Sequence, residues 1–222
     1  MVFDHDHPYY MGRLRMSGDN RFNGAFYYSK EIIRNIIPNV ETDRNWITVN
    51  IPQSNLVPQF EPCGADHSIV FIHNNMHPEN YEWLSRYDDL ILVCGIPETV
   101  EKVSHLGKAI YLPLSIDVED VRQYIRSKTK EVAFVGRKSK RNGIDFPPDV
   151  DIIEGLPREE LLETMAEYKN VYAVGRTAIE AKALGCEVLP YDDRFPDVSR
   201  WKVIDNLEAA KMLQDELNKI DK

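Results

Sequence analysis

Short, continuous apolar segments recur along this chain and alternate with segments of helical character. Clear examples are the apolar runs that follow the polar first residues of segments 68–72, 89–93 and 131–135. A strand that is apolar at every position, rather than at every second one, is typical of a parallel sheet with helices on both faces. The alternation therefore predicts an α/β fold with mostly parallel sheets. Because the strand pattern restarts near residue 130, we expect two domains, spanning residues 1–126 and 127–222.

Residues 171–191 form the segment of this pattern with the most chemical content. They are predicted to form a strand, a polar turn, a helix and a second strand, at residues 171–174, 175–177, 178–184 and 187–189. A turn that leads through Gly175 into a helix presents free backbone N–H groups and the positive end of the helix dipole. With Arg176, Thr177 and Glu180 nearby, this segment is suited to hold a phosphate and a sugar hydroxyl together. The alternative is an ordinary β-α-β unit in which a later glycine only ends the helix.

A basic segment follows the predicted strand at 131–135. Gly136 is followed by Arg137, Lys138 and Lys140, although the whole chain has a net charge of −9, with 27 Lys and Arg against 36 Asp and Glu. Such an acidic chain is unsuited to binding long nucleic acids through its overall field, so a nucleic acid is expected to bind only at a local site. A basic pocket in an acidic protein is better suited to a small anionic ligand. The alternative is a solvated surface loop.

Polar residues also follow the apolar strand that ends at residue 72. His73 and Asn74 lie just past its carboxyl end, where ligand sites form in parallel sheets. A purely structural role for these two residues is the alternative. Nearer the N-terminus, Asn23 and Gly24 belong to a glycine loop that leads into a predicted helix, which a proline ends.

Composition narrows the class of protein further. The three cysteines, Cys63, Cys94 and Cys186, show no CxxC spacing, which argues against structural zinc and fits a reducing compartment. The histidines and aspartates at positions 4–7 lack the spacing of metal-binding motifs, so no metal site is predicted. No apolar run reaches the roughly 20 residues of a membrane-spanning helix, and the N-terminus lacks the features of a signal peptide. We therefore expect a cytoplasmic protein without a transmembrane segment.

The order of these motifs resembles that of the GT-B glycosyltransferases, and within them the enzymes of the glycosyltransferase group 1 type. The similar segments lie at residues 23–25, 72–74, 89–103, 111–117, 132–137, 152–172 and 177–191. The resemblance implies two Rossmann-like domains that face each other across a cleft, an N-terminal acceptor-side domain and a C-terminal domain that binds the donor. It also implies transfer of a hexose from a nucleoside-diphosphate sugar, expected to be UDP-linked, with no cofactor besides this substrate.

The resemblance also implies roles for the candidate residues. In a metal-independent reaction the diphosphate needs cationic or dipolar stabilisation, which Arg176, Thr177 and the helix N-terminus would supply together with residues 136–140. Glu180 lies at the position of the glutamate that binds the nucleotide ribose. His73 would act as the base or would support the positive charge that develops on the sugar. Three further residues are implied to contact the sugar or the acceptor: Asn23, Gly24 and Asn74.

The chain departs from the GT-B pattern in two respects. Tyr172 occupies the position of a second glutamate that contacts the sugar in many retaining members, and the chain is shorter than usual. Two alternatives therefore stay open: a nucleotide-sugar epimerase or hydrolase of the same architecture, as in the UDP-N-acetylglucosamine 2-epimerases, and a nucleotide-binding module without catalysis. The acceptor is left open among a polysaccharide, a protein, a small metabolite and a modified DNA base.

Overall fold

The structure is a computed structural model, and it describes residue 28 and residues 31–42, 44–49, 68–73 and 78–220. The predicted acceptor-side residues Asn23, Gly24 and Asn74, and positions 4–7, lie outside the described residues. The described part contains two separate parallel β-sheets whose strands alternate with helices. The predicted α/β class with mostly parallel, Rossmann-like sheets is therefore confirmed.

The first sheet has, among the described residues, four parallel strands in the order β1-β2-β3-β4. Their bounds are Asn45–Val49 (β1), Ser68–Ile72 (β2), Leu90–Cys94 (β3) and Lys108–Tyr111 (β4). Every residue of β2 and β3 is buried. This burial explains why both strands are apolar at almost every position. On one face of the sheet their side chains pack with Tyr81 and Leu84 in a hydrophobic core that includes Val70, Ile72, Leu90, Leu92 and Cys94.

The helices that accompany the first sheet are short. A π-helical segment at Ile32–Ile36 continues as a 3₁₀-helix at Ile37–Asn39, a second 3₁₀-helix spans Pro78–Arg86, and helix α1 spans Pro97–Val103. The first of these helices was predicted to end at Pro38. It continues through this proline instead, because Pro38 lies in the first turn of the 3₁₀ segment, where no backbone N–H donor is needed.

The second sheet has four described parallel strands, in the order β6-β5-β7-β8. Their bounds are Lys130–Val135 (β5), Asp151–Ile153 (β6), Tyr168–Tyr172 (β7) and Glu187–Leu189 (β8). The helices of this region are Val118–Arg122 (α2), Lys138–Arg141 (α3), Arg158–Met165 (α4) and Arg176–Ala183 (α5). The chain therefore moves from β5 to β6 on one side, returns past β5 to β7, and continues outward to β8.

Two bounds near residue 175 differ from the prediction. Strand β7 starts at Tyr168 and ends at Tyr172, whereas the sequence predicted residues 171–174. The polar first half of β7 is held in the sheet by its pairing with β5. Lys130 is the register partner of Tyr168, and Val132 is the register partner of Asn170. Helix α5 begins at Arg176 rather than at residue 178, so Arg176 and Thr177 belong to the first helical turn and not to a preceding turn.

The chain folds into two compact units. The described residues up to Pro113, together with those from Leu207 onward, form the first unit, and Leu114–Asn206 form the second. The predicted domain boundary after residue 126 falls inside the second unit and stays a prediction. The two ends of the second unit are bonded to each other, because the buried Ser115 Oγ donates to Asn206 Oδ1 at 2.8 Å. Helix α6 follows at Asn206–Ile220, and none of the described helices is long and apolar enough to cross a membrane.

Replacing Gly107 by alanine is expected to lower the free energy of unfolding by about 1–3 kcal/mol. A Cβ atom at this position would lie 2.7 Å from the backbone oxygen of Leu90 and 3.0 Å from its Cβ. The strand and the turn must then move apart, since neither contact involves a flexible side-chain end. Urea denaturation measures the loss, and Lys102→Ala, an exposed change in α1, is the control. Equal stability of the two variants would contradict the prediction.

Candidate anion-binding site

Two predicted site segments begin side by side at the carboxyl edge of the second sheet. Strands β5 and β7 are parallel neighbours, with Phe134 and Tyr172 as register partners near their carboxyl ends. Residues 136–141 follow β5, and residues 175–180 follow β7. The chain leaves these two strands in opposite directions, toward β6 and toward β8. Such a reversal of strand order opens a crevice at the carboxyl edge, which is where open α/β sheets bind ligands.

The N-terminus of α5 is built for close approach of a ligand. Gly175 is the residue before the helix and has φ 64° and ψ −140°, a conformation open essentially to glycine alone. No side chain caps the helix, and Arg176 and Thr177 form its first turn. Backbone N–H groups and the positive end of the helix dipole therefore lie at the carboxyl edge of the sheet.

The basic segment after β5 contributes side-chain cations. Arg137 and Lys138 are exposed and Lys140 is half-buried. Neither lysine pairs with a carboxylate in the part of the chain that the structure describes. Burial lowers the pKa of Lys140 to about 8, and the positive charge of Arg137 acts in the same direction. Loss of water and the neighbouring guanidinium both destabilise the charged form of this amine. A bound anion offsets both effects, so the position favours an anionic ligand.

The sequence predicted residues 136–141 as a strand end and a basic loop. The structure has a four-residue helix, α3, at this place, with Arg137 as its N-terminal flanking residue. The guanidinium of Arg141, at the end of α3, lies 3.4 Å from the carboxylate of Glu154. This ion pair connects α3 to Glu154, the residue that follows β6. Arg141 therefore has a carboxylate partner, unlike Lys138 and Lys140.

Four charged side chains form a network between α2, α4 and α5. Glu180 is buried, at 6% exposure, and its Oε1 lies 3.1 Å from Arg176 Nη2 and 3.2 Å from Arg158 Nη2. Arg158 Nη1 also donates to Asp120 Oδ2 at 2.9 Å. The charges thus alternate along the network, which is the arrangement that burial of charged groups requires.

The network changes how Glu180 is interpreted. Its implied role as the acceptor of ribose hydroxyls stays a prediction, and in this structure one of its carboxylate oxygens is already shared by two arginines. Sequence reasoning missed Arg158 and Asp120 as parts of this region. In the sequence, Pro157 and the acidic residues after Arg158 indicate only the start of a helix, and nothing in the spacing indicates that Arg158 meets Asp120.

No family model, curated protein or solved structure matches this chain significantly. The site is therefore interpreted from its own geometry.

In the first unit, the candidate His73 directly follows β2 and is half-buried. Its ring packs edge-on against Tyr28, with 5.6 Å between the centroids and an angle of 86°. Among the described residues, no group of three His, Cys, Asp or Glu side chains could hold a metal ion.

The opposite ends of α4 and α5 are held by Lys128. Its Nζ donates to the backbone oxygens of Ala166 at 2.9 Å and of Leu184 at 2.8 Å, the residues that end these two helices. The same amine lies 3.2 Å from Cys186 Sγ, and burial raises the pKa of this thiol. A cation at two helix C-termini is favourable, so Lys128 and the arginine network fix both ends of the helix pair.

Proposed function

We propose that this chain is a metal-independent glycosyltransferase whose second sheet binds the nucleoside diphosphate of a nucleotide-sugar donor. The observation that carries the proposal is the strand-order reversal at β5, because residues 136–140 and the uncapped N-terminus of α5 begin there side by side. A diphosphate supplies oxygens for backbone N–H groups and negative charge for the lysines. The two-domain GT-B class and UDP as the nucleotide belong to the same proposal, which the two parallel sheets support.

The chemistry of transfer fits the residue types at this edge. Cleavage of the bond between the sugar and the diphosphate leaves negative charge on the leaving group, which cations stabilise most strongly in the transition state. Arg137, Lys138 and Lys140 would supply this stabilisation. His73 in the first unit is the candidate base that removes the proton of the acceptor hydroxyl, since an imidazole ionises near neutral pH.

A nucleotide-binding module without transfer is the second candidate. It is favoured by Glu180, whose Oε1 is engaged by two arginines, and by Tyr172 in place of a glutamate. The two candidates differ in one assay. A transferase consumes its nucleotide sugar, by transfer or slow hydrolysis, and loses this activity in the His73→Ala variant, whereas a module binds the same compound without consuming it.

Binding is tested by titration calorimetry with UDP, GDP, ADP and inorganic diphosphate. We expect at least one nucleotide to bind, and the double variant Arg137→Met/Lys138→Met to bind it about tenfold or more weakly, because charge-assisted bonds to phosphate are lost. The matched control is Lys202→Met, which removes an exposed lysine of the second unit.

Two results would count against the proposal. One is that no nucleotide and no diphosphate binds the unmodified chain. The other is that Lys202→Met weakens binding as much as the double variant does, because the effect would then come from net charge and not from the carboxyl edge of the second sheet.

A further inference from the structure

An aromatic cluster lies at the carboxyl end of the second sheet. Tyr191 is at its centre, with centroid distances of 5.4 Å to Phe195, 5.7 Å to Phe134, 5.8 Å to Phe146 and 6.0 Å to Tyr172. The ring of Phe134 is buried, whereas the other four rings are half-buried. These four, Phe146, Tyr172, Tyr191 and Phe195, are called the aromatic platform below.

The platform lies on the sheet face that α4 and α5 do not cover. The connections that contain these helices cross the sheet in the same direction, and right-handed crossovers place both helices on one face. The connection from β5 to β6 runs the other way and covers the opposite face. Phe146 belongs to this connection, and its ring centroid lies 5.1 Å from those of Phe134 and Tyr172. In the described residues, a four-residue helix and a loop cover this face.

The platform adjoins the segment that carries the cations. A Cβ atom on Gly136 would lie 3.1 Å from the ring of Phe134, so the chain leaves β5 directly over the aromatic cluster. On the other side, Arg194 Nη2 donates to the backbone oxygen of Asn142 at 3.2 Å, and its guanidinium lies 5.8 Å from the ring centroid of Phe195. The basic segment at residues 136–140 and the rings therefore lie next to each other.

The hydroxyl group of Tyr191 is left unsatisfied by the part of the chain that the structure describes. It is buried and has no hydrogen-bond partner among the described residues. Burial is the largest cause that raises the pKa of Tyr191, so this hydroxyl stays protonated at neutral pH. Buried polar groups in proteins are almost always hydrogen-bonded, so this hydroxyl is available to bond a ligand.

We propose that the aromatic platform binds the nucleobase of the nucleotide, with the Tyr191 hydroxyl hydrogen-bonded to the edge of the base. This inference rests on the proposed function and specifies which part of the ligand the surface takes. Every nucleobase presents a flat π-face that stacks on aromatic side chains, and residues 136–140 are in position to hold the phosphates of the same molecule. A sugar ring fits less well, because each of its hydroxyl groups needs a partner and the platform offers only tyrosine hydroxyls.

The test compares UDP, GDP and ADP with inorganic diphosphate, which has no base. We expect the best nucleotide to bind about tenfold or more tightly than diphosphate. Tyr172→Leu should remove most of this difference while the affinity for diphosphate changes less than twofold. Tyr191→Phe should weaken nucleotide binding severalfold without lowering the midpoint of urea denaturation. Tyr111→Leu, an exposed change in the first unit, is the control.

The outcomes separate this inference from the function on which it rests. Equal affinity for nucleotide and diphosphate, or equal weakening of both by Tyr172→Leu, would overturn the platform and leave the phosphate site intact. A lower denaturation midpoint for Tyr191→Phe with unchanged affinity would assign its hydroxyl to the fold and contradict the bond to the base. Binding of neither ligand would overturn both proposals.

Discussion

Replacing Glu180 by methionine is expected to lower the free energy of unfolding of the second unit by about 3–5 kcal/mol. The carboxylate is buried between Arg176 and Arg158, with oxygen–nitrogen distances of 3.1 and 3.2 Å. Both guanidinium groups are themselves largely buried, at 10% and 13% side-chain exposure. Without the carboxylate, two desolvated positive charges face each other, and water cannot screen their repulsion. Urea denaturation followed by circular dichroism measures the loss.

Three further variants assign this loss to the network. Glu163→Met removes an exposed carboxylate of α4 and should change the free energy of unfolding by less than about 0.5 kcal/mol. Glu180→Gln keeps the shape and should lose less than Glu180→Met. The double variant Arg176→Met/Glu180→Met should recover part of the loss, because one positive charge leaves with the negative one. A loss no greater than that of Glu163→Met would contradict the argument.

The sequence predicted strands best where burial alone determines them. The bounds of β2 and β8 agree with the prediction residue for residue. In β2 a run of four apolar residues ends at the polar His73, and β8 lies between the turn at Gly185 and Pro190. The start of β7 was missed because its first residues are polar. Their partners lie on other strands of the sheet: Tyr168 donates its hydroxyl proton to Asp151 of β6, and Asn170 Nδ2 donates to the backbone oxygen of Glu131 in β5. Such pairings depend on sheet order, which spacing along the chain does not contain.

The candidate site was predicted in its local features and missed in its long-range ones. Gly175 and the helix start after it are visible in one short segment, because a glycine between a strand and a helix has few other uses. The bond from Arg158 to Asp120 joins residues 38 positions apart, and α2 and α4 come near each other because both pack against α5. The aromatic platform was missed for the same reason, since its four rings come from two loops and the end of β7.

Replacing Lys140 by methionine is expected to change stability and binding in opposite directions. Burial and Arg137 lower the pKa of this amine from its ordinary 10.5 to about 8. Keeping it charged at pH 7 therefore costs the folded state on the order of 2–3 kcal/mol, which the uncharged methionine removes. The variant should be more stable to urea than the unmodified chain, yet bind diphosphate about tenfold or more weakly. Lower stability together with unchanged affinity would contradict a functional reason for the half-buried charge of Lys140.

The pH dependence of diphosphate binding is a second, independent test of the role of the Lys140 charge. An anionic ligand favours the charged amine, so above about pH 8, the pKa of Lys140 in the free protein, the unmodified chain should lose affinity for inorganic diphosphate relative to the Lys140→Arg variant. Lys140→Arg keeps a positive charge throughout this range, so the comparison also corrects for the ionisation of diphosphate itself. Stability should change with pH in the direction opposite to affinity. Between about pH 8 and 10.5 the unfolded chain binds more protons than the folded chain, so the free energy of unfolding should rise with pH. Lys140→Met should lack this rise, and a fall in affinity that persists in Lys140→Arg would show that another group titrates.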